Sequence, residues 1–511
     1  MNRILCLLLC AVLMMGIFTG CGTEDSPYIP TGDALDDGTG STRPTEPSKT
    51  QELIMVYYPK RSMNPYTSTD LTNRALFPLL YQGLFTVDRD YNISPILCQS
   101  YQVSGDMRTY TFHLADAEFS DGTPVTSADV VASLNAAKAG SYYAGRFLHI
   151  KSIKEKDGAV VITADTPMEN MPVLLDIPIV KASETKAENP LGTGPYVWEV
   201  YSGGTRLRKR LGWWCSADMA ITSAYIPLQE AQSPSHIRDQ FEFADVGLVC
   251  TDPGSDTYAD YRCDYEIWDC ENGIFIYLVC NSSSKVFSKP AVRRAVTHAI
   301  DRELLASDYY RGFARATYLP ISPLSPNYNR RLAESYGYNP ELWSQAVTAA
   351  GVEGDTVTLL LNKDDSLRLR AGRAIAEMLT AGGLKVVTAE VSTKEYKSRL
   401  SKGNFDLYLG QTKLSPNMDL SAFFSQSGKL NYGGLADTAT YFLCTESLAN
   451  TGNYYNLHES IMENGQLVPL LLRSYAVYAT RGLATNLKPS RDNVFYYNLG
   501  RTLSDALIND K

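Results

Sequence analysis

The chain has 511 residues, of which 44% are hydrophobic and 20% charged, with a formal net charge of −9. This is the composition of ordinary globular protein, not of a fibrous or disordered one, and its acidic balance offers no basic stripe to displace phosphate counterions, which argues against a nucleic-acid partner. The body beyond the N-terminal segment, about 460 residues, is too long for one hydrophobic core and is expected to split into two or three compact units.

Arg3 precedes an almost uninterrupted apolar stretch from Ile4 to Phe18. That stretch is too short for a stable membrane span and suits a signal peptide over residues 1–20. The residues Phe18-Thr19-Gly20-Cys21 resemble the lipobox of bacterial lipoproteins, although Phe18 is bulkier than the usual Leu. The resemblance implies cleavage before Cys21 and acylation of it; the plainer alternative is an ordinary cleavable signal that contains a cysteine. Two or more acyl chains hold a protein firmly to a bilayer. Residues 21–50 are rich in turn formers and acidic groups and read as a tether. As a coil, the tether's ends would average roughly 30 Å apart. No later run is long and apolar enough to span a bilayer.

Of 10 cysteines, Cys6 and Cys10 leave with the signal. Excluding Cys21, seven remain: Cys98, Cys215, Cys250, Cys263, Cys270, Cys280 and Cys444. An odd number cannot all pair, and no CxxC spacing supports a zinc or redox site. Buried thiols are the expected state, with Cys263–Cys270 the one local disulfide to test.

The segment "RTYTFHLADAEF" alternates as a strand, followed by a turn at Asp121-Gly122 and a helix capped near Thr126 or Ser127. In "FSKPAVRRAVTHAIDREL" Ser288 is a plausible N-cap, Pro290 sits in the first turn, and Val292, Ala295, Val296, Ala299 and Ile300 form one apolar stripe. "VTLLLN" (357–362) reads as a buried strand, residues 365–382 as a helix closed by Gly382-Gly383, "LKVVTAEV" as a strand, "TKEYKSRLSKG" as a helix and "FDLYLG" (405–410) as a strand. This alternation predicts a mostly parallel sheet with helices on its faces. Ligands of such sheets sit beyond the strand C-termini, towards Gly410 and the residues after it.

Enzyme signals are thin. The sequence has no HExxH, nucleophile elbow, Walker loop or dinucleotide fingerprint, and its histidines (His113, His149, His236, His298 and His458) are scattered. "GTG" at 192–194 reads as a turn.

Four segments, in order, carry a resemblance: "SMNPYTS" (62–68), "LLYQGLFTVDRDYNISPILCQSYQVSGDMRTYTFHLADAEFSDGTPVTSADV" (79–130), "NPLGTGPY" (189–196) and "NSSSKVFSKPAVRRAVTHAIDRE" (281–303). Together they resemble the family 5 extracellular solute-binding proteins, the peptide- and nickel-binding receptors of ABC importers. The resemblance implies an α/β, two-lobed periplasmic-binding-protein-like fold (class II, cluster C) with an extra small domain on lobe one. Lobe one would comprise 51–75, 181–268 and 470–511, the extra α/β subdomain 76–180, and the distal lobe 269–469. With no catalytic motif in the sequence, no enzyme activity and no cofactor or metal are expected. The expected protein is a monomer, anchored by lipid to the cell membrane and facing the exterior or periplasm. It would close on an oligopeptide or peptide-like solute and deliver it to an ABC permease and ATPase. A non-peptide solute, anionic or a metal chelate, is the alternative, as is a surface sensor of the same fold.

In peptide-binding members of that family, the loop after the strand matching "FDLYLG" carries an aspartate that pairs with the peptide's α-amino group. Here the best register places Leu414 at that acid, next to Lys413, while Asp419 matches a later Asp. Lys413 attracts an anion where an acid would attract an ammonium; it could also point to solvent, and Asp419 could cap a helix starting at Leu420. Tyr66, Tyr277, Gln411, Lys413, Asp419, Asn431 and Tyr432 are therefore the candidate ligand contacts, with Trp213 and Trp214 weaker ones. The aromatics among them could equally be core.

Overall fold

The computed structural model describes residues 52–508 apart from Ser216 and Thr485. The expected signal peptide, the acylated Cys21 and the tether lie outside the described residues. Among the described residues no helix is long and apolar enough to cross a membrane.

The largest sheet has seven strands. Two long ones form its centre, Glu266–Cys280 and Leu467–Ala479, paired antiparallel. Their near-continuous apolar runs, "FIYLVC" and "LVPLLL", are buried on both faces, as the central strands of a covered sheet must be. Leu407–Lys413 lies antiparallel beside Glu266–Cys280, and Thr356–Asn362 and Lys385–Val391 continue the sheet in parallel. Leu248–Thr251 and Ala314–Ala316 pair antiparallel with Leu467–Ala479.

The expectation of a mostly parallel sheet therefore holds for the three strands that alternate with helices and fails for the sheet as a whole. Short-range alternation dictates direction only where a helix returns the chain; the central strands come from segments about 200 residues apart, whose pairing direction no local pattern encodes.

The helices follow their local signals. Ser127–Ala139 opens with a capping box in which Thr126 and Asp129 satisfy each other's backbone N–H groups. Ser366–Ala381 is capped by Asp365, buries Leu367, Ala371, Ile375 and Leu379, and ends at Gly382, where a side chain would overlap the indole of Trp343. The helix Pro290–Ala299 starts one residue later than expected. Its N-cap is Lys289, and the Ser288 hydroxyl donates instead to the Lys285 carbonyl at 3.0 Å.

Three further sheets lie among the described residues. Met55–Tyr57, Tyr225–Glu230, Gly204–Lys209 and Tyr196–Tyr201 form one of four strands. Cys98–Val103, Thr109–Leu114, Ala159–Ala164 and Ile150–Lys156 form an antiparallel one, with Tyr101, Tyr110 and Phe112 stacked on its buried face. Phe85–Val87 pairs with Ile93–Pro95.

All seven described cysteines are free thiols, so the Cys263–Cys270 disulfide does not form. The strand Glu266–Cys280 turns Cys270 into the core, where its thiol donates to the Ser490 carbonyl at 2.7 Å, while Cys263 stays half-buried before the strand begins.

Candidate functional site

Charged side chains cluster where residues 142–176, the strand end at Lys413 and the C-terminal segment meet. The helix Ser127–Ala139 ends at Gly140, where a Cβ would lie 2.7 Å from the Tyr66 carbonyl oxygen, and this close approach sets the path of Tyr142, Tyr143 and Arg146. Arg74 is buried. It donates to the carbonyls of Pro65 and Ser68 at 3.1 Å and to the Tyr143 hydroxyl at 2.8 Å, and its guanidinium lies 3.4 Å from the centre of the Tyr142 ring. Arg146 pairs with Asp176, and Arg491 donates to the Leu414 carbonyl. Behind Arg491, Glu271 accepts from the hydroxyls of Tyr91 and Ser322. A cavity of about 90 Å³, partly open to the surface, is lined by Arg74, Tyr142, Arg146, Asp176, Arg491 and Asp492, among others.

Lys413, the last residue of its strand, lines the neighbouring groove and reaches two residues of this crypt's wall, Asp492 and Tyr142. Its ammonium pairs with Asp492, donates to the Tyr142 hydroxyl at 3.0 Å and stands 4.4 Å from the centre of that ring. Burial opposes the charge on Asp492, but Lys413 and Arg491 outweigh it and hold the carboxyl below its usual range. Burial pushes Arg146 down to about 10.

A larger groove of about 530 Å³ lies alongside, between Ala144–His149 with Asp165 and the stretch from Thr412 to Tyr441. His149 bridges its walls, with Nε2 3.2 Å from Asp419 Oδ2 and Nδ1 3.1 Å from Asp165 Oδ1. Burial works against the imidazolium, but the two carboxylates prevail and raise its pKa. Asp419 also accepts from the Ser421 backbone N–H at 2.8 Å, holding the entry to the short helix Ser421–Phe424.

The chain matches the family model described as "Bacterial extracellular solute-binding proteins, family 5 Middle" over residues 92–433, more than half its length. It belongs to this family. The family 5 protein is 26% identical over 350 residues to the glutathione-binding protein GsiB of Escherichia coli K12, covering 64% of this chain and 67% of GsiB. Its fold is similar to that of NikA from Brucella suis, solved with Fe(III)-EDTA, at a TM-score of 0.66 and 18% identity over 84% of this chain and 95% of NikA. It is likewise similar to the periplasmic murein tripeptide-binding protein MppA in its unliganded open form, at a TM-score of 0.70 and 16% identity over 87% and 97% of the two chains. The two-lobed α/β binding-protein fold implied by the four motifs is thus the fold of this family 5 chain.

Of the residues singled out in its sequence, Lys413 and Asp419 line the cleft between the two walls. Tyr66 is buried, its hydroxyl donating to the Pro178 carbonyl at 2.8 Å. Tyr277 is buried against Phe275, Tyr408 and Phe423, with burial raising its pKa to about 12. Gln411 pairs opposite Ile276 in the sheet, outside the lining of both cavities. Asn431 ties its own loop by donating to the carbonyls of Ser425 and Gln426 at 3.0 Å, and half-buried Tyr432 meets Tyr408 edge-on. Trp213 and Trp214 both donate to the Thr193 carbonyl, bracing the 192–194 turn.

Sequence reasoning passed over Arg74, Tyr142, Arg146, His149, Asp176, Arg491 and Asp492. No local pattern marks them, since they come together only through the fold: Tyr142 and Asp492 stand 271 and 79 positions from Lys413 in the chain.

Proposed function

We propose that the protein is the lipid-anchored binding component of an ABC importer, which closes two lobes on a small peptide-like solute bearing a carboxylate. As a member of family 5 it is a solute-binding protein of such importers; the solute class, the anchor at Cys21 and the lobe boundaries given above are part of the proposal. The observation that carries it is the charge around the crypt. Arg74, Arg146, Arg491 and Lys413 face Asp176, Asp492 and, behind Arg491, Glu271, four cations against three carboxylates. A buried site with surplus positive charge takes up an anionic group and rejects a bare cation.

Closure is a population shift driven by contacts that the solute makes better in the closed form. Cross-wall contacts such as Lys413–Asp492, His149–Asp419 and Glu169 with the Leu448 carbonyl support a closed form that already has contacts of its own. A non-peptide carboxylate or chelate is the second reading, favoured by the arginines, whose forks suit any carboxylate.

Calorimetry of the mature chain against short peptides, amino acids and non-peptide carboxylates decides between them. Binding of carboxylate-bearing solutes, weakened about tenfold or more by Arg74→Ala, supports the proposal. If cationic or neutral solutes bind and carboxylates do not, the reading is wrong. Acylation is checked separately: Cys21→Ser should leave the chain unlabelled by palmitate and released from the membrane.

A further inference from the structure

Asp492 is almost buried, its side chain 11% exposed, and Oδ2 holds Lys413 while Oδ1 has no protein partner. Tyr142 completes the corner: its hydroxyl accepts from Lys413 and its ring presents a face to the ammonium, while the other charge on that ring is Arg74. A carboxylate beside an aromatic face is the chemistry that recognises an alkylammonium. The receptor has filled that corner with a side chain of its own, delivered from the opposite wall.

We propose that Lys413 is the specificity-determining residue of the cleft, which occupies the ammonium-recognising corner made by Asp492 and Tyr142 and so excludes solutes that present a free amine there. This rests on the reading of the crypt as the solute site. An ammonium has three donors, and two of those on Lys413 are used on Asp492 and Tyr142. The third serves an acceptor on the solute. With Lys413 in place an amine brought to Asp492 meets a like charge and must displace a neighbour tethered to the chain; an acylated amine or a second carboxylate does not. Without Lys413 the local count falls from four cations against three carboxylates to three against three, and the Oδ2 atom of Asp492 is open to a cation.

Competition between random di- and tripeptide libraries, with free or N-acetylated amino termini, tests this in the mature chain. The wild type should prefer the N-acetylated library by about tenfold or more, and Lys413→Met should abolish or reverse that preference, whereas Asp492→Asn should not gain affinity for free amines. Each preference is a ratio within one variant, so a general loss of stability cancels; Lys413→Gln replaces Met should the latter not fold. A wild type that prefers free amines, or a Lys413→Met variant that keeps the wild-type ratio, overturns the proposal while leaving the crypt as the site. Failure of the wild type to bind either library or any carboxylate overturns the site reading itself.

Discussion

The imidazole of His149 and the carboxylate of Asp419 face each other across the groove, both nearly buried, one from each wall. Asp419 thus has two tasks, since the carboxylate that fixes the entry to Ser421–Phe424 also receives the histidine.

This contact should make stability depend on pH. The pKa of His149 is raised in the fold, so its contribution is complete below about 6.5 and is lost as pH rises through the raised value. Asp419 is lowered, against burial, chiefly by His149, so its contribution is present above about 3.8 and lost as pH falls through the lowered value. Urea unfolding at pH 5.5 and pH 8.5 should show a loss of stability in the wild type that His149→Gln lacks, and His149→Ala should cost about 1–3 kcal/mol at the lower pH. Equal slopes in both proteins would remove His149 from the linkage.

His458 works in the opposite sense. It is buried beside Tyr454, neither ring nitrogen has a hydrogen-bond partner, and burial pushes its pKa down to about 3. The folded protein keeps it neutral while the unfolded chain takes up a proton below about 6.5, so stability falls there by up to about 1.4 kcal/mol per pH unit. Replacement by Phe, which cannot titrate, should flatten the denaturation profile between pH 6 and pH 4. An unchanged acid limb would mean that other groups govern it.

Gly410 stands directly opposite Tyr277, and a Cβ there would lie 2.5 Å from its ring. The ring has nowhere to go, being packed on Phe275, Tyr408 and Phe423. Gly410→Ala should lower stability by about 1–3 kcal/mol. Lys413 ends the same strand, so solute affinity should fall as well, whereas Gly105→Ala, where an added Cβ would meet nothing within 4 Å, serves as the control. Thermal melting and calorimetry of the two variants measure both effects.

Thiol accessibility offers a fourth check. Five of the seven described thiols are buried, and only Cys215 and Cys263 are half-buried. Burial raises Cys215 to about 12 and lifts Cys263 as well, so both should react slowly with an aromatic disulfide reagent at pH 8. Two slow equivalents in the native protein, five more on unfolding and no disulfide by mass spectrometry are expected for the chain from residue 52 onward. A native count above two would mean that the core opens.

The helix cap at Thr126, the helix expected over 365–382 and the three parallel strands were legible in the sequence, because each depends on residues close together in the chain. The resemblance to family 5 was legible for the same reason, since its motifs are contiguous stretches such as "DGTPVTSADV". Lys413 could be singled out from the loop in which it stands. Its partners could not, since Tyr142 lies 271 positions before it and Asp492 lies 79 after it.

The sequence by itself determined several of the helices and strands and, through its four motifs, the family to which the chain belongs. Only the tertiary structure decided that the central strands run antiparallel, that Cys270 faces the core instead of Cys263, and that Lys413 closes on Asp492. Hydrophobic period and capping act over a few residues and so are written locally; ion pairs, thiol burial and the pairing of distant strands exist only once the chain has brought remote segments together.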